Sequence, residues 1–353
     1  MATVREIAAN LGVSASTVSR SLGGSPSISE DVKVRVLKEA RRLGYGRTKA
    51  RPQAVVAQTI GISFLNRFAW PHFTGYDAMI WAGISRAAIE RRVDTTLIDL
   101  NQIESGESYQ AFLSRRGVHA LILRVDEETR GVAVDIAADG VEVVVVADRY
   151  DEPGVNYACY RSGDATRQAI EHLLNMGHRR IGFCRNPVMD EDHRDRLDGY
   201  ESALKQAGVE IDAALHLTGA ASLTGGETAL SNFLSLPEPP TAIYFADPVM
   251  TVGGMRRALE IGVRVPEDLS VVGVDEGDET RKMTYPSYTA VCQDAAELGF
   301  KAANWLAHAE SGEDRDPDAL RLTAQAYLEV SRSTAPPPAT PVRVWPNGQR
   351  ADG

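Results

Sequence analysis

Ser14, Ala15, Ser16, Thr17, Ser19 and Arg20 place six side chains suited to touching a polyanion within seven positions. Small and hydroxyl side chains let a backbone come close to phosphates. An arginine among them can grip a guanine edge through two parallel N–H groups. The flanking residues predict the elements that present them. Thr3 with Glu6 forms a capping box, each side chain satisfying an amide of the other. Val4, Ile7, Ala8 and Leu11 recur at i, i+3, i+4 and i+7, one apolar stripe of a helix. Gly12 ends that helix where a left-handed residue is least strained, and Ser14 caps the next. The second helix turns Ala15, Ser16, Thr17, Ser19 and Arg20 outward and Val18 and Leu22 inward. Two helices joined by so tight a turn make a helix-turn-helix unit, whose second helix is built to enter a DNA major groove. Ser29, ahead of Glu30 and Asp31, starts a third helix. Val32, Val36, Leu37, Ala40 and Leu43 form its buried stripe, and Gly44 closes it. Residues 3–45 therefore read as a DNA-binding head.

The charge distribution agrees. Between residues 1 and 51 there are ten Lys and Arg against four Asp and Glu, a net of about +6. The whole chain of 353 residues carries −10, so the remainder carries about −16. Such a sign split suggests a nucleic-acid module on an acidic body, whereas charge alone would also fit a solvated helical face. A chain of this length exceeds one ordinary domain, and 43% hydrophobic with 24% charged residues describes a globular protein with a sizeable core. The three cysteines, Cys159, Cys184 and Cys292, are widely spaced and odd in number. They argue against a disulfide framework or a zinc site and for a reducing cytoplasm. No signal-peptide pattern and no apolar run of about 18 residues is present, so a cytoplasmic protein without membrane contact is expected.

Beyond a basic, weakly patterned stretch (residues 46–58), the period changes. Short apolar runs at 59–65, 119–124 and 141–147 alternate with amphipathic helices near 75–92, 105–116 and 129–139. A further strand is expected at 95–100. A second half repeats the pattern, with strands near 180–185, 214–218, 242–246 and 270–274. Its helices are expected near 164–176, 196–207, 224–234, 249–261 and 298–310. Apolar strands alternating with helices of ten or more residues predict an α/β body with parallel sheets covered on both faces. Two such halves make two lobes, with a ligand crevice beyond the carboxyl ends of the strands. Phe73 follows the first strand, where an aromatic could stack on a sugar or base ring or simply pack with Phe68, Trp70 and Tyr76. Arg124 ends the third strand, facing the crevice or pairing Asp126 or Glu127. The Pro-rich stretch from Ala335 is expected to be disordered.

The ordered motifs resemble the lactose-repressor (LacI/GalR) family of bacterial transcription regulators. They are Thr3 to Ala8, Gly12-Val13-Ser14, Ser16 to Arg20, Leu22, Ser25-Pro26, Leu37 and Leu43-Gly44-Tyr45 in the head. In the body they are Thr59-Ile60-Gly61, His172-Leu173, Gly177 to Gly182, Arg196 to Tyr200, Val265 to Gly273, Asp275, Thr289, Val291 and Gln293. The resemblance covers residues 2–333. It implies a helix-turn-helix head (1–46), a hinge linker (47–58), a two-lobed body like periplasmic binding proteins (59–333) and a tail (334–353). It also implies a homodimer reading a pseudo-palindromic operator, with a sugar or sugar derivative as effector between the lobes and no cofactor. Ala15, Ser16 and Arg20 match base-reading positions, and Thr17 and Ser19 match phosphate contacts. Thr3, Ser14 and Tyr45 complete the expected DNA-facing set. Asp148, Arg196, Asp247, Asp275 and Gln293 match ligand-contacting positions. Each also makes chemical sense unaided, because paired carboxylates accept vicinal hydroxyls and an arginine donates a planar fork. For Arg196 the other reading is an ion pair with Asp190, Glu191, Asp192 or Asp195. For Asp275 it is a solvated acidic turn with Glu276, Asp278 and Glu279.

The linker departs from the family. Where relatives carry a hinge helix with a leucine wedge, this chain has Lys49-Ala50-Arg51-Pro52-Gln53-Ala54-Val55-Val56, shorter and without leucine. A hinge helix over residues 52–57 is expected, with Val55 or Val56 as the wedge that unstacks a base step. Gly23 stands where relatives commonly have asparagine. The two arginines near the crevice favour an effector with an anionic group. No GxSxG, GxGxxG, Walker or HExxH pattern occurs, so no enzyme is expected. No heptad zipper is seen near residue 353. The sequence reads as a sequence-specific repressor, with an activator or a ligand-independent regulator on the same scaffold as the alternative.

Overall fold

In the computed structural model the described residues are 3–22, 28–42, 59–65, 75–187, 189–277, 280–308 and 320–345. The chain forms two compact units, Met1–Ala57 and Gln58–Gly353. In the first unit, α1 (Val4–Leu11), α2 (Ala15–Leu22) and α3 (Glu30–Arg42) enclose a core of Ile7, Ala8, Val18, Val36 and Ala40. The capping box is formed: Thr3 N donates to Glu6 Oε2 at 2.7 Å, and Glu6 N donates to Thr3 Oγ1 at 3.3 Å. Gly12 takes the left-handed conformation that ends α1, at φ +65°. Ser14 Oγ accepts from Thr17 N at 3.1 Å, capping α2. Gly23, Leu43, Gly44, Tyr45 and the linker with Val55 and Val56 lie outside the described residues.

The second unit has two lobes, each a six-stranded sheet between helices. The chain lays down β1 (Thr59–Phe64), α4 (Gly75–Arg91), β2 (Asp94–Leu97), α5 (Tyr109–Ser114), β3 (Val118–Arg124), α6 (Arg130–Ala138), β4 (Glu142–Val146) and β5 (Asn156–Arg161). It then crosses to the other lobe through α7 (Gly163–Met176), β6 (Ile181–Arg185), α8 (Glu191–Gln206), β7 (His216–Thr218), α9 (Leu223–Leu234) and β8 (Ala242–Phe245). This lobe continues with α10 (Pro248–Glu260), β9 (Ser270–Asp275) and β10 (Thr289–Cys292). Finally α11 (Ala295–His308) and β11 (Arg321–Gln325) return to the first lobe, and β12 (Tyr327–Glu329) ends in the second. The sheet orders are β11-β5-β4-β3-β1-β2 and β12-β10-β9-β8-β6-β7. Every pairing is parallel except β12 on β10. In each lobe the strand order reverses between the first and third strands laid down. That is the switch point where a crevice opens beyond the carboxyl ends of strands.

Three expectations are corrected here. The helix read as the end of the second half, α11, belongs to the first lobe. Its Ala295, Leu298, Ala302, Ala303 and Leu306 share a core with Ile80, Ile84 and Ala87 of α4. The backbones of the two helices touch: a Cβ on Gly83 would lie 1.8 Å from the Ala296 carbonyl oxygen, and one on Gly299 2.0 Å from that of Ile80. Second, α8 begins at Glu191, five residues ahead of its expected start, because Asp190 caps it by accepting from His193 N at 3.0 Å. Third, the stretch expected as a disordered tail is packed over residues 334–345. Val342 and Val344 are buried with Phe233 and Leu234, and Val344 N donates to Leu234 O at 2.9 Å. Proline-rich composition lacks periodicity, so the burial of two valines in the Phe233–Leu234 core had no sequence signal.

Two histidines clasp the start of this strap. His172 Nε2 meets Thr334 Oγ1 at 3.0 Å, and His178 Nε2 donates to Ala335 O at 2.9 Å while its Nδ1 meets Thr241 Oγ1 at 2.8 Å. Burial lowers the pKa of both below the ordinary 6.5, and that of His216 as well. A lowered histidine pKa means that the unfolded chain takes up protons first as pH falls through about 6.5, so stability is lost in that direction. Urea midpoints are therefore expected to drop from pH 7.5 to 5.5. An unchanged or rising midpoint would contradict this assignment.

Candidate functional site

On the head, Ala15, Ser16, Ser19 and Arg20 are exposed, with Ser14 beside them, and Thr17 is half-buried, while Val18 is fully buried beneath. The Arg20 guanidinium is folded along its own helix, with Nε donating to Ser16 O at 3.3 Å and Nη2 to Ser16 Oγ at 3.5 Å. Ser14 Oγ lies 2.8 Å from both Ser16 Oγ and Thr17 Oγ1. One exposed helix face thus carries a hydroxyl cluster and a positioned guanidinium, the chemistry that phosphates and a guanine edge require. Tyr45, Val55 and Val56 lie outside the described residues.

In the second unit, both switch points deliver polar side chains to the space between the lobes. From the first lobe come Tyr76 and Asp77, in the first turn of α4, and Arg124, at the end of β3. From the second come Asn186 after β6, the first turns of α8, and Asp247, which caps α10 by accepting from Met250 N at 3.0 Å. A continuous polar chain joins them. Arg124 Nε donates to Asp77 Oδ1 at 3.3 Å and Nη2 to Asp190 Oδ2 at 2.8 Å. His193 Nδ1 donates to Asp190 Oδ1 at 2.6 Å, and Asn186 Nδ2 donates to His193 Nε2 at 3.0 Å and to Asp247 Oδ2 at 3.3 Å. Beside it, Arg196 donates from Nη1 to Ala246 O at 2.7 Å and from Nη2 to Asp192 Oδ2, with Glu276 Oε1 3.9 Å away. Gln293 Nε2 also donates to Asp192 Oδ2, at 3.1 Å, and Ser162 Oγ donates to Asp192 Oδ1.

Burial sets the electrostatics. Arg124 is 4% exposed and Arg196 1%. Burial opposes both charges, yet Asp190 and Asp77 on the first, and Asp192 on the second, hold the guanidiniums above their ordinary pKa. Burial, and then Asp192, drives the Tyr76 hydroxyl well above its ordinary range, with Arg124 opposing. Three buried polar atoms have no partner here: Tyr76 Oη, Arg196 Nε and Gln293 Oε1. An unpaired buried donor or acceptor costs about 1–3 kcal/mol, and these three lie around one carboxylate cluster. The thiols are chemically quiet by contrast: burial pushes Cys159 up to about 11 and Cys184 and Cys292 up to about 12.

The expected effector-contacting residues separate into two groups. Arg124 and Asp247 are buried in the polar chain just described, and Arg196 and Gln293 are buried in the Asp192 group beside it. Asp148 is buried too, but pairs within its lobe with Arg130 at 2.7 Å, and burial raises its pKa against that arginine. The Asp275 carboxylate accepts from Arg281 Nε at 3.1 Å and Gly277 N at 3.0 Å, and the next residue, Glu276, lies 3.9 Å from Arg196 Nη2. Phe73 lies outside the described residues. Sequence reasoning missed Tyr76, Asp77, Asn186, Asp190, Asp192 and His193 as members of the site. The available signal was the acidic run Asp190-Glu191-Asp192, a capping residue followed by two acids in the first turn of a helix.

Comparison with known proteins places this geometry. Residues 3–47 match the family described as bacterial regulatory proteins, lacI family, and residues 170–328 match the periplasmic binding protein-like domain. The chain is 29% identical to the HTH-type transcriptional repressor CytR of Escherichia coli K12, over 85% of this chain and 87% of that one. It is 26% identical to the HTH-type transcriptional repressor PurR of Haemophilus influenzae, over 87% and 90%. Among solved structures, the transcriptional regulator CelR in complex with cellobiose aligns with a TM-score of 0.65 and 26% identity, over 94% of this chain and all of that one. With a helix-turn-helix head, a two-lobed α/β body and these relatives along nearly its full length, the chain belongs to the LacI family of bacterial transcriptional regulators and is a DNA-binding repressor.

Proposed function

We propose that this repressor acts as a cytoplasmic homodimer on a pseudo-palindromic operator and is switched by a neutral, hydroxyl-rich small molecule held between its lobes. The observation that carries the reading is the set of three orphaned polar atoms, on elements of both lobes, around the Asp192 carboxylate. The preference for an anionic effector loses its basis. Arg124 is engaged by two carboxylates, and Arg196 has Asp192 and Glu276 beside it. An incoming anion would meet four buried acids, Asp77, Asp190, Asp192 and Glu276, whereas hydroxyl groups can both donate to them and accept from Arg196 Nε. No helix among the described residues is long and apolar enough to cross a membrane.

In the head, Ala15, Ser16 and Arg20 read bases and Thr3, Ser14, Thr17 and Ser19 grip phosphates, with Tyr45, Val55 and Val56 completing the contact. Arg20→Ala is expected to weaken binding to duplexes that the wild-type protein selects from a random pool. The loss should be about ten- to a hundredfold, the worth of one bidentate guanine contact. Binding to unselected DNA should change far less. Equal affinity of the two proteins for the selected duplex would remove Arg20 from the reading role.

A further inference from the structure

The first turns of α8 do more than line the cleft. Asp190, Glu191, Arg194 and Asp195 each hold a residue of the opposite lobe. Arg124 Nη2 meets Asp190 at 2.8 Å, Arg194 Nη2 meets Glu127 Oε1 at 3.0 Å, and Arg149 reaches across from the loop after β4. Arg149 donates from Nη1 and Nη2 to the two oxygens of Asp195, both at 2.8 Å, and from Nη2 to Glu191 Oε2 at 2.8 Å. Asp195 also accepts from Ser162 N, at the crossing between lobes, at 3.3 Å. A bidentate arginine–carboxylate pair fixes both distance and orientation. The Arg149, Asp195 and Glu191 side chains are 18%, 18% and 24% exposed, wet enough for salt to screen them and dry enough for the pairs to count.

We propose that this cluster is an electrostatic latch that draws the lobes together before any effector arrives, with Arg149 as its positioning residue. Opening the cleft by a few ångströms breaks every one of these pairs at once, so the resting balance between open and closed lobes is set by the latch. Because a ligand binds more weakly when its competent arrangement is scarce, the latch tunes effector affinity through Arg149, Glu191, Arg194 and Asp195, which lie outside the cleft's polar chain, with Asp190 belonging to both. The proposal rests on the reading of the interlobe space as the effector site, and its regulatory consequence follows from that reading. The latch itself is tested with no effector present.

Spin labels on Glu104→Cys and Glu238→Cys, exposed positions in the first and second lobes, report lobe separation by pulsed dipolar spectroscopy on the full-length protein. The three native thiols are buried and do not compete for label. At low salt a single short separation is expected. Arg149→Ala should raise the open-to-closed ratio about tenfold, roughly what a charge-assisted bidentate pair is worth. Glu191→Gln/Asp195→Asn, which keeps the helix and the Ser162 contact, should do the same. Adding Arg149→Ala to that background should change nothing further, and about 1 M salt should move the wild type toward the variants. A separation indifferent to Arg149→Ala, to Glu191→Gln/Asp195→Asn and to salt would overturn the latch. That result would leave the effector reading untouched. Conversely, a salt-sensitive separation in a protein whose operator complex ignores every polyol would sustain the latch and sink the effector reading.

Discussion

Gly83→Ala is expected to destabilise the body by about 3 kcal/mol or more, although it adds a single methyl group to a helix. The new carbon would lie 1.8 Å from the carbonyl oxygen and 2.7 Å from the carbonyl carbon of Ala296, and 2.8 Å from the amide nitrogen of Phe300. All three are backbone atoms of the α11 segment, so no side chain can swing aside and the two helices must separate. Overpacking of a tight core commonly costs about 1–3 kcal/mol, and contacts between backbones belong at the upper end. Helix propensity pushes the other way, by about 1 kcal/mol. Gly131→Ala, in α6, is the matched control. A Cβ there meets nothing within 4 Å, so propensity alone should act and stability should rise slightly. Urea midpoints of the two variants measure the contrast. A Gly83→Ala protein as stable as the wild type would mean that α4 and α11 do not meet as described.

Arg124→Met should be nearly as damaging, and for an electrostatic reason. Asp77 is fully buried and Asp190 is 2% exposed, and the substitution removes the guanidinium that both carboxylates face. Breaking a buried pair from one side typically costs about 3–5 kcal/mol, because the surviving charge is left in a poor dielectric. Asp190→Asn keeps an oxygen to cap α8 while removing one of those charges. The double variant should therefore lose clearly less than the two single losses added together, a coupling that a double-mutant cycle on urea midpoints reads directly. Additive losses would show that Arg124 and Asp190 do not interact. The same variants bear on the effector, since a neutral polyol does not need the Arg124 charge and an anion would.

The first helix of the head and its turn were legible almost residue by residue because their signals are local. A capping box, one left-handed glycine and a four-residue stripe each act within a turn or two, and all three are found where expected. The alternation of strands and helices in the body was legible for the same reason. What stayed hidden was long-range. Strand β5, Asn-Tyr-Ala-Cys-Tyr-Arg, mixes polar and aromatic residues, and β11 is a partly exposed edge strand, so neither reads as an apolar run. That α11 returns to the first lobe depends on Gly83 and Gly299 meeting backbone, and no periodicity encodes such a partner. In the cleft, residue types singled out Arg124, Arg196, Asp247 and Gln293, which the structure buries among polar groups between the lobes, but not their pairings. Arg124 looked available for an anion because Asp77 and Asp190, the carboxylates that satisfy it, lie on distant segments, whereas the Asp192 partner of Arg196 is one helical turn away.

The most direct test of the account is fluorescence anisotropy of a labelled operator duplex, selected by the protein itself from random DNA. The complex is titrated with neutral mono- and disaccharides, nucleosides, sugar acids and sugar phosphates. At least one neutral hydroxyl-rich compound is expected to shift operator affinity about tenfold or more, the size of an ordinary coupling between sites. Gln293→Leu, which removes one orphaned acceptor, should abolish that shift while leaving effector-free operator binding intact. Operator affinity that responds only to sugar acids or sugar phosphates, or a response that survives in Gln293→Leu, would contradict the account.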